Sequence, residues 1–81
     1  MNDMELQTIE NRCNKATDGP WVSFIEGRDH TSGSSFIQTQ GDDIELIGAR
    51  DEDQDFIANA RQDIPVLINE IRRLKKILGD V

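Results

Sequence analysis

At 81 residues the chain has room for one domain, residues 1–81, and a core of that size buries only about 60 percent of the unfolded surface, so an added staple is needed. One cysteine, Cys13, and one histidine, His30, exclude a disulfide framework and a zinc site of ordinary ligand number, and no metal or other cofactor is expected. The formal charge of −7 opposes phosphate backbones and argues against nucleic acid, while the lack of a membrane-length apolar run or a leader-like start leads us to expect a soluble, cytoplasmic protein with no membrane partner.

In chain order, Asp3 to Ala16 place Leu6, Ile9, Cys13 and Ala16 on one stripe, with Glu5, Glu10, Arg12 and Lys15 elsewhere, which predicts an amphipathic helix. Cys13 on that stripe reads as a small buried hydrophobe, not a thiolate nucleophile. Thr17, Asp18, Gly19 and Pro20 end the helix, since Gly accepts the left-handed turn and Pro cannot continue it. Trp21 follows as the anchor of the turn into the next element.

Three strand-like runs come next, Trp21 to Glu26, Ser34 to Thr39 and Asp43 to Ile47, and their Gly-, Ser- and Asp-rich connections predict an antiparallel meander. The loop from Glu26 to Ser35 is the densest polar stretch. Its hydroxyls and backbone N–H groups could wrap an anion, with Arg28 as a bidentate clamp and His30, Thr31, Ser32 and Ser34 as further donors. It lacks the glycine spacing and lysine of a Walker loop. A catalytic His30 is not expected, because Asp29 is its sequence neighbour and points to the opposite face in extended chain, and no activated nucleophile stands nearby.

The last element is a helix starting after Gly48, with Asp51 as the expected N-cap and Gln54 three residues on. Asp51, Asp53 and Asp55 share a calcium loop's odd spacing, but Phe56 replaces its glycine and Gln62 its glutamate, so the acids are read as first-turn partners of the helix dipole. Arg72, Arg73, Lys75 and Lys76 complement the other end. Pro65 predicts a kink or break near Asp63, and Arg61 and Asp63 flank it as a structural pair or, for Arg61, a ligand contact. Through this region runs an apolar seam, Ile57, Ala60, Ile64, Leu67, Ile71, Leu74 and Leu78, spaced alternately three and four residues apart, the pattern two parallel helices use to pair. The expected fold is therefore α+β: an N-terminal helix, a three-stranded antiparallel meander and a long kinked C-terminal helix (α-β-β-β-α) that forms a homo-oligomer through Ile57, Ile64, Leu67, Ile71, Leu74 and Leu78.

The residues Ala16, Thr17, Gly19, Pro20 and Trp21, with Asp53, Phe56, Ile57, Ala58, Ala60, Arg61, Asp63, Pro65 and Leu67, resemble a group of small phage, prophage and bacterial accessory-genome proteins. Those proteins carry an Ala-Thr-x-Gly-Pro-Trp turn and a Phe-Ile-Ala-x-Ala-Arg-x-Asp-x-Pro helix. The resemblance spans about half the chain and implies a mobile-element context, in which small acidic proteins act by binding and blocking. Together these features lead us to expect a non-enzymatic binding protein that captures a small anionic, nucleotide-like ligand, such as a host-defence signal, through Arg28, His30, Thr31, Ser32, Ser34 and Arg61. The alternative is an acidic inhibitor or immunity-type protein that blocks a protein partner, steered by its charge.

Overall fold

The computed structural model describes residues 1–79, arranged as α1 (Asp3–Lys15), β1 (Val22–Phe24), β2 (Phe36–Gln38) and α2 (Asp51–Ile77). Helix α1 begins with a reciprocal cap: Glu5 N–H donates to Asn2 Oδ1 at 2.8 Å and Asn2 N–H donates to Glu5 Oε1 at 3.0 Å, which satisfies two of the donors a helix start leaves open. At its other end Ala16 N–H bonds back to the Arg12 and Cys13 carbonyls, and the chain leaves through a cis Gly19–Pro20 peptide.

Strands β1 and β2 form a two-stranded antiparallel sheet in which Ser23 faces Ile37. The third expected strand is reduced to one bridge: Ile37 and Ile44 exchange both N–H···O=C bonds, at 2.8 and 2.9 Å. The pairing does not propagate because the run is short and acidic and its ends are not bound; Ile44 and Leu46 are half-buried, while Ile47 is fully exposed. Thr39 closes the turn before it, its Oγ1 donating to Asp42 O at 2.7 Å and accepting from Gly41 N–H at 2.9 Å.

Helix α2 starts one residue earlier than expected, with Arg50 as N-cap and Asp53 Oδ2 accepting the Arg50 N–H at 3.0 Å. That frees Gln54 for another task. The helix passes through Pro65 without a break; the single bond lost at Pro65 is outweighed by packing on both sides of it. The first half of α2 lies on the β1–β2 hairpin. Buried Gln54 donates its Nε2 to Ser23 Oγ (3.0 Å), Phe24 O (3.2 Å) and Phe36 O (3.0 Å), joining the helix to both strands. The second half runs antiparallel to α1, tied by Arg72 to Glu10 at 2.7 Å and Lys75 to Asp3 at 2.8 Å.

The core is small: Leu6 from α1, Ile25 and Ile37 from the hairpin, and Ala58 and Ile68 from α2. Each of the four larger side chains contributes about 1.5–3 kcal/mol by leaving water. The inward stripe of α2 is Gln54, Ala58, Arg61, Pro65, Ile68, Arg72 and Lys75, all buried or half-buried and spaced alternately four and three. It lies one residue, or about 100°, around the helix from the apolar seam. The chain thus buries the more polar of its two heptad stripes, and the molecule is elongated, 52 × 21 × 20 Å.

Candidate functional site

Within the loop from Glu26 to Ser35, positive φ at Gly27 turns the chain so that Gly27 N–H reaches His30 O at 2.7 Å and Asp29 N–H reaches Ile25 O at 2.8 Å. Asp29 Oδ2 accepts the Ile25 N–H at 2.8 Å, and Ser35 Oγ accepts the Glu26 N–H at 3.1 Å. Arg28 is fully engaged by carboxylates: Nη1 and Nη2 grip Asp55 at 2.8 and 3.0 Å, and Nε donates to Asp29 at 3.0 Å. The Arg28 fork in turn holds Asp55 at a pKa of about 2, with a Ser23 hydrogen bond assisting, and keeps Asp29 below its ordinary range. The same bonds raise the already high pKa of Arg28.

His30 Nδ1 lies 2.7 Å from Ser32 O. A carbonyl only accepts, so Nδ1 carries a proton, and Nε2 is buried with no partner among the described residues. His30 therefore offers an approaching anion no accessible N–H. Thr31, Ser32 and Ser34 are exposed on the same loop. The fold thus brings Arg28, His30, Thr31, Ser32 and Ser34 together as expected, but it spends the two strongest anion donors on holding the loop and fastening it to α2.

Arg61, the remaining expected ligand residue, lies elsewhere, at the junction of α1 and α2. Its Nε donates to Thr17 O at 3.0 Å, and Trp21 Nε1 donates to the same carbonyl at 2.9 Å. Gln62 clamps the Trp21 backbone from both sides: Oε1 accepts its N–H, 2.6 Å away, and Nε2 donates to its carbonyl at 3.1 Å. Among the described residues Arg61 and Asp63 form no ion pair, and Asp63 is exposed. The approach is close enough that a Cβ on Gly19 would sit 3.3 Å from Gln62 Oε1 and 3.4 Å from Arg61 Cγ. These contacts join the Thr17–Trp21 turn to the Ala58–Gln62 stretch. They border an open cavity of about 190 Å³ lined by Arg12, Cys13, Ala16, Trp21, Ala60, Arg61 and Ile64. Arg12, Cys13 and Trp21 were not read as site residues from sequence; no local motif marks them, since they meet only through the α1–α2 packing.

The seam is the third feature. Ile57 is 38 % exposed, Ile64 37 %, Leu67 58 %, Leu74 44 % and Leu78 80 %, while Ala60 and Ile71 are half-buried along the edge nearest α1. Between the helices Met1, Leu6, Ile9, Ile64, Leu67, Ile68 and Ile71 form an open, wholly apolar groove of about 250 Å³. Phe56, Val66 and Ile77 add exposed apolar surface on other sides of α2. Among the described residues no cluster of three metal-ligating side chains occurs and no helix is long and apolar enough to cross a membrane. Comparison with protein-family models, curated proteins and solved structures finds no match.

Proposed function

We propose that the chain is a non-enzymatic, self-associating binding protein that joins copies of itself through α2 and captures a small anionic, nucleotide-like ligand, as a phage-type protein that sequesters a host-defence signal would. The observation that carries the assembly is the heptad seam of Ile57, Ile64, Leu67, Ile71, Leu74 and Leu78, of which all but half-buried Ile71 are left exposed by the chain's own packing. An apolar stripe of this length marks an interface, and its regular spacing suits a second copy of the same helix. It also supplies the staple that a core of five side chains lacks. For the ligand, support comes from Arg12 and Arg61, which have no carboxylate partner among the described residues in a chain with 16 acidic residues. Size-exclusion chromatography with light scattering tests the assembly: the wild type should elute as a multiple of the chain mass and Leu67→Asp as a folded monomer, because a carboxylate in the seam would be buried unpaired. A wild-type monomer at tens of micromolar would remove this reading.

The inhibitor reading draws on the exposed carboxylates of Asp42, Asp43, Glu45, Asp51 and Glu52, which form no ion pair among the described residues. A basic protein target bound through them would show an association rate that falls steeply with added salt.

A further inference from the structure

Five of the nine Lys and Arg residues, Arg28, Arg50, Arg72, Arg73 and Lys75, are paired with carboxylates. Among the described residues this leaves only two arginines without an acidic partner, Arg12 and Arg61, and both line the one cavity beside Trp21. In an acidic chain that pairs every other arginine, two arginines without an acidic partner that line one opening are free to take a counter-charge from outside the molecule. Arg61 is also pre-oriented: its Nε is held by Thr17 O at 3.0 Å, and its terminal nitrogens have no protein acceptor among the described residues. The rest of the lining, Cys13, Ala16, Trp21, Ala60 and Ile64, is apolar or aromatic. The indole is fixed by its own bond to Thr17 O, so the wall keeps its shape when empty.

From this we infer that the cavity between the C-terminal end of α1 and the middle of α2 is a binding site for a small molecule that joins one flat, apolar ring system to a phosphate or carboxylate. The ring enters against Trp21 and Ile64, and the anion sits at the mouth between Arg12 and Arg61. Geometry matters here because an arginine fork grips a planar or tetrahedral oxyanion through two parallel N–H bonds. At about 190 Å³ the cavity is smaller than the roughly 300–1,000 Å³ that encloses a drug-sized ligand, so it takes the ring of a mononucleotide-sized molecule and leaves the anion at the open mouth. This site rests on the ligand half of the proposed function and borders the proposed interface, since Ile64 belongs to both the seam and the cavity wall; it moves capture from the Glu26–Ser35 loop to the helix junction.

Trp21 is the only tryptophan, so its fluorescence reports on the cavity directly. Titrating the full chain with adenosine monophosphate should give a saturable change in Trp21 emission, and adenosine or inorganic phosphate alone should give at least tenfold weaker responses, since each lacks half of the recognition. Arg12→Ala, which removes no intramolecular bond, and Arg61→Ala should each weaken the response about tenfold or more, as expected for losing a charge-assisted hydrogen bond, while Lys76→Ala should leave it unchanged. Circular dichroism on Arg61→Ala checks that loss of the Thr17 contact has not unfolded the turn, and Arg12→Ala decides the matter if it has. A full response in both arginine variants would overturn the assignment. Loss in Arg28→Ala with retention in the other two would return capture to the loop while keeping the ligand reading. No response to any of the three probes, nor to benzoate as a carboxylate probe, would reject both.

Discussion

Gln54 is the residue whose replacement most sharply tests how the two layers are joined. Its side chain is only 4 % exposed, and its Nε2 stands within 3.0–3.2 Å of three oxygens, on Ser23, Phe24 and Phe36. An amide has two hydrogens, so one is shared, and truncation to Ala removes about two net bonds at ~0.5–1.5 kcal/mol each and leaves acceptors facing an apolar gap at a further ~1 kcal/mol or more. We expect Gln54→Ala to cost about 2–4 kcal/mol, a large part of the ~5–15 kcal/mol that holds a typical domain together, and to lower Tm by roughly 10–30 °C in a domain of this size. Gln54→Glu should be worse at neutral pH, since a carboxylate keeps the shape but offers no donor to three oxygens, and its deficit should shrink in acid as protonation restores one. Urea unfolding followed by far-ultraviolet circular dichroism, at fixed protein concentration because assembly couples to stability, measures both. A Gln54→Ala variant within about 0.5 kcal/mol of the wild type, inside the range of an inert surface change, or a Glu variant as stable as Gln, would refute the claim that this amide fastens α2 to the sheet.

Further outcomes follow from the same contacts. Thr39→Val keeps the shape but strands Asp42 O and Gly41 N–H, and should cost about 1–2 kcal/mol in the same unfolding assay. Asp55, whose pKa falls from 3.8 to about 2 through the Arg28 fork, stabilises the fold above 3.8 and loses that contribution as pH drops through about 2. Asp55→Asn should therefore melt below the wild type at pH 5 and together with it below pH 2; a gap that persists in acid would show that the ion pair is not its source. Gly41→Ala places a Cβ 3.0 Å from Thr17 Cγ2, so a lower Tm, with the turn after α1 shifted in amide chemical shifts, is the expected result.

Local signals in the sequence were enough where local chemistry decides. Helix α1 stops before Thr17–Pro20 as expected, but Gly19 does not take the left-handed turn expected of it: Ala16 already leaves the helix extended and a cis Gly19–Pro20 peptide carries the chain away. Pro65 shows the limit of such rules: of the kink or break expected there, the break does not occur, because a rule built on one lost hydrogen bond ignores the hairpin and α1 packed against the helix on either side. The third strand failed for a related reason: alternation at Ile44 and Leu46 shows that a strand could form there, but only Ile44 finds an edge to pair with. Two heptad stripes exist on α2, one residue out of phase, and periodicity alone does not say which faces inward. Apolar content favours the seam, yet Gln54, Arg61, Arg72 and Lys75 each have a polar partner waiting on another element, and this partnering selects their stripe. The same distance problem hid the candidate sites. Arg28 looks free until Asp55, 27 residues later, is seen to grip it, and Arg12, Trp21 and Arg61 become one site only when α1 folds back along α2.

Native mass spectrometry of the purified wild-type chain tests the central claim most directly, since one spectrum counts subunits and retains small ligands. Assembly through the α2 seam predicts a principal species at a whole multiple, two or more, of the 9.2 kDa chain, collapsing to single chains in Leu67→Asp. A spectrum of single chains alone at tens of micromolar, or an oligomer unaffected by Leu67→Asp, would contradict it.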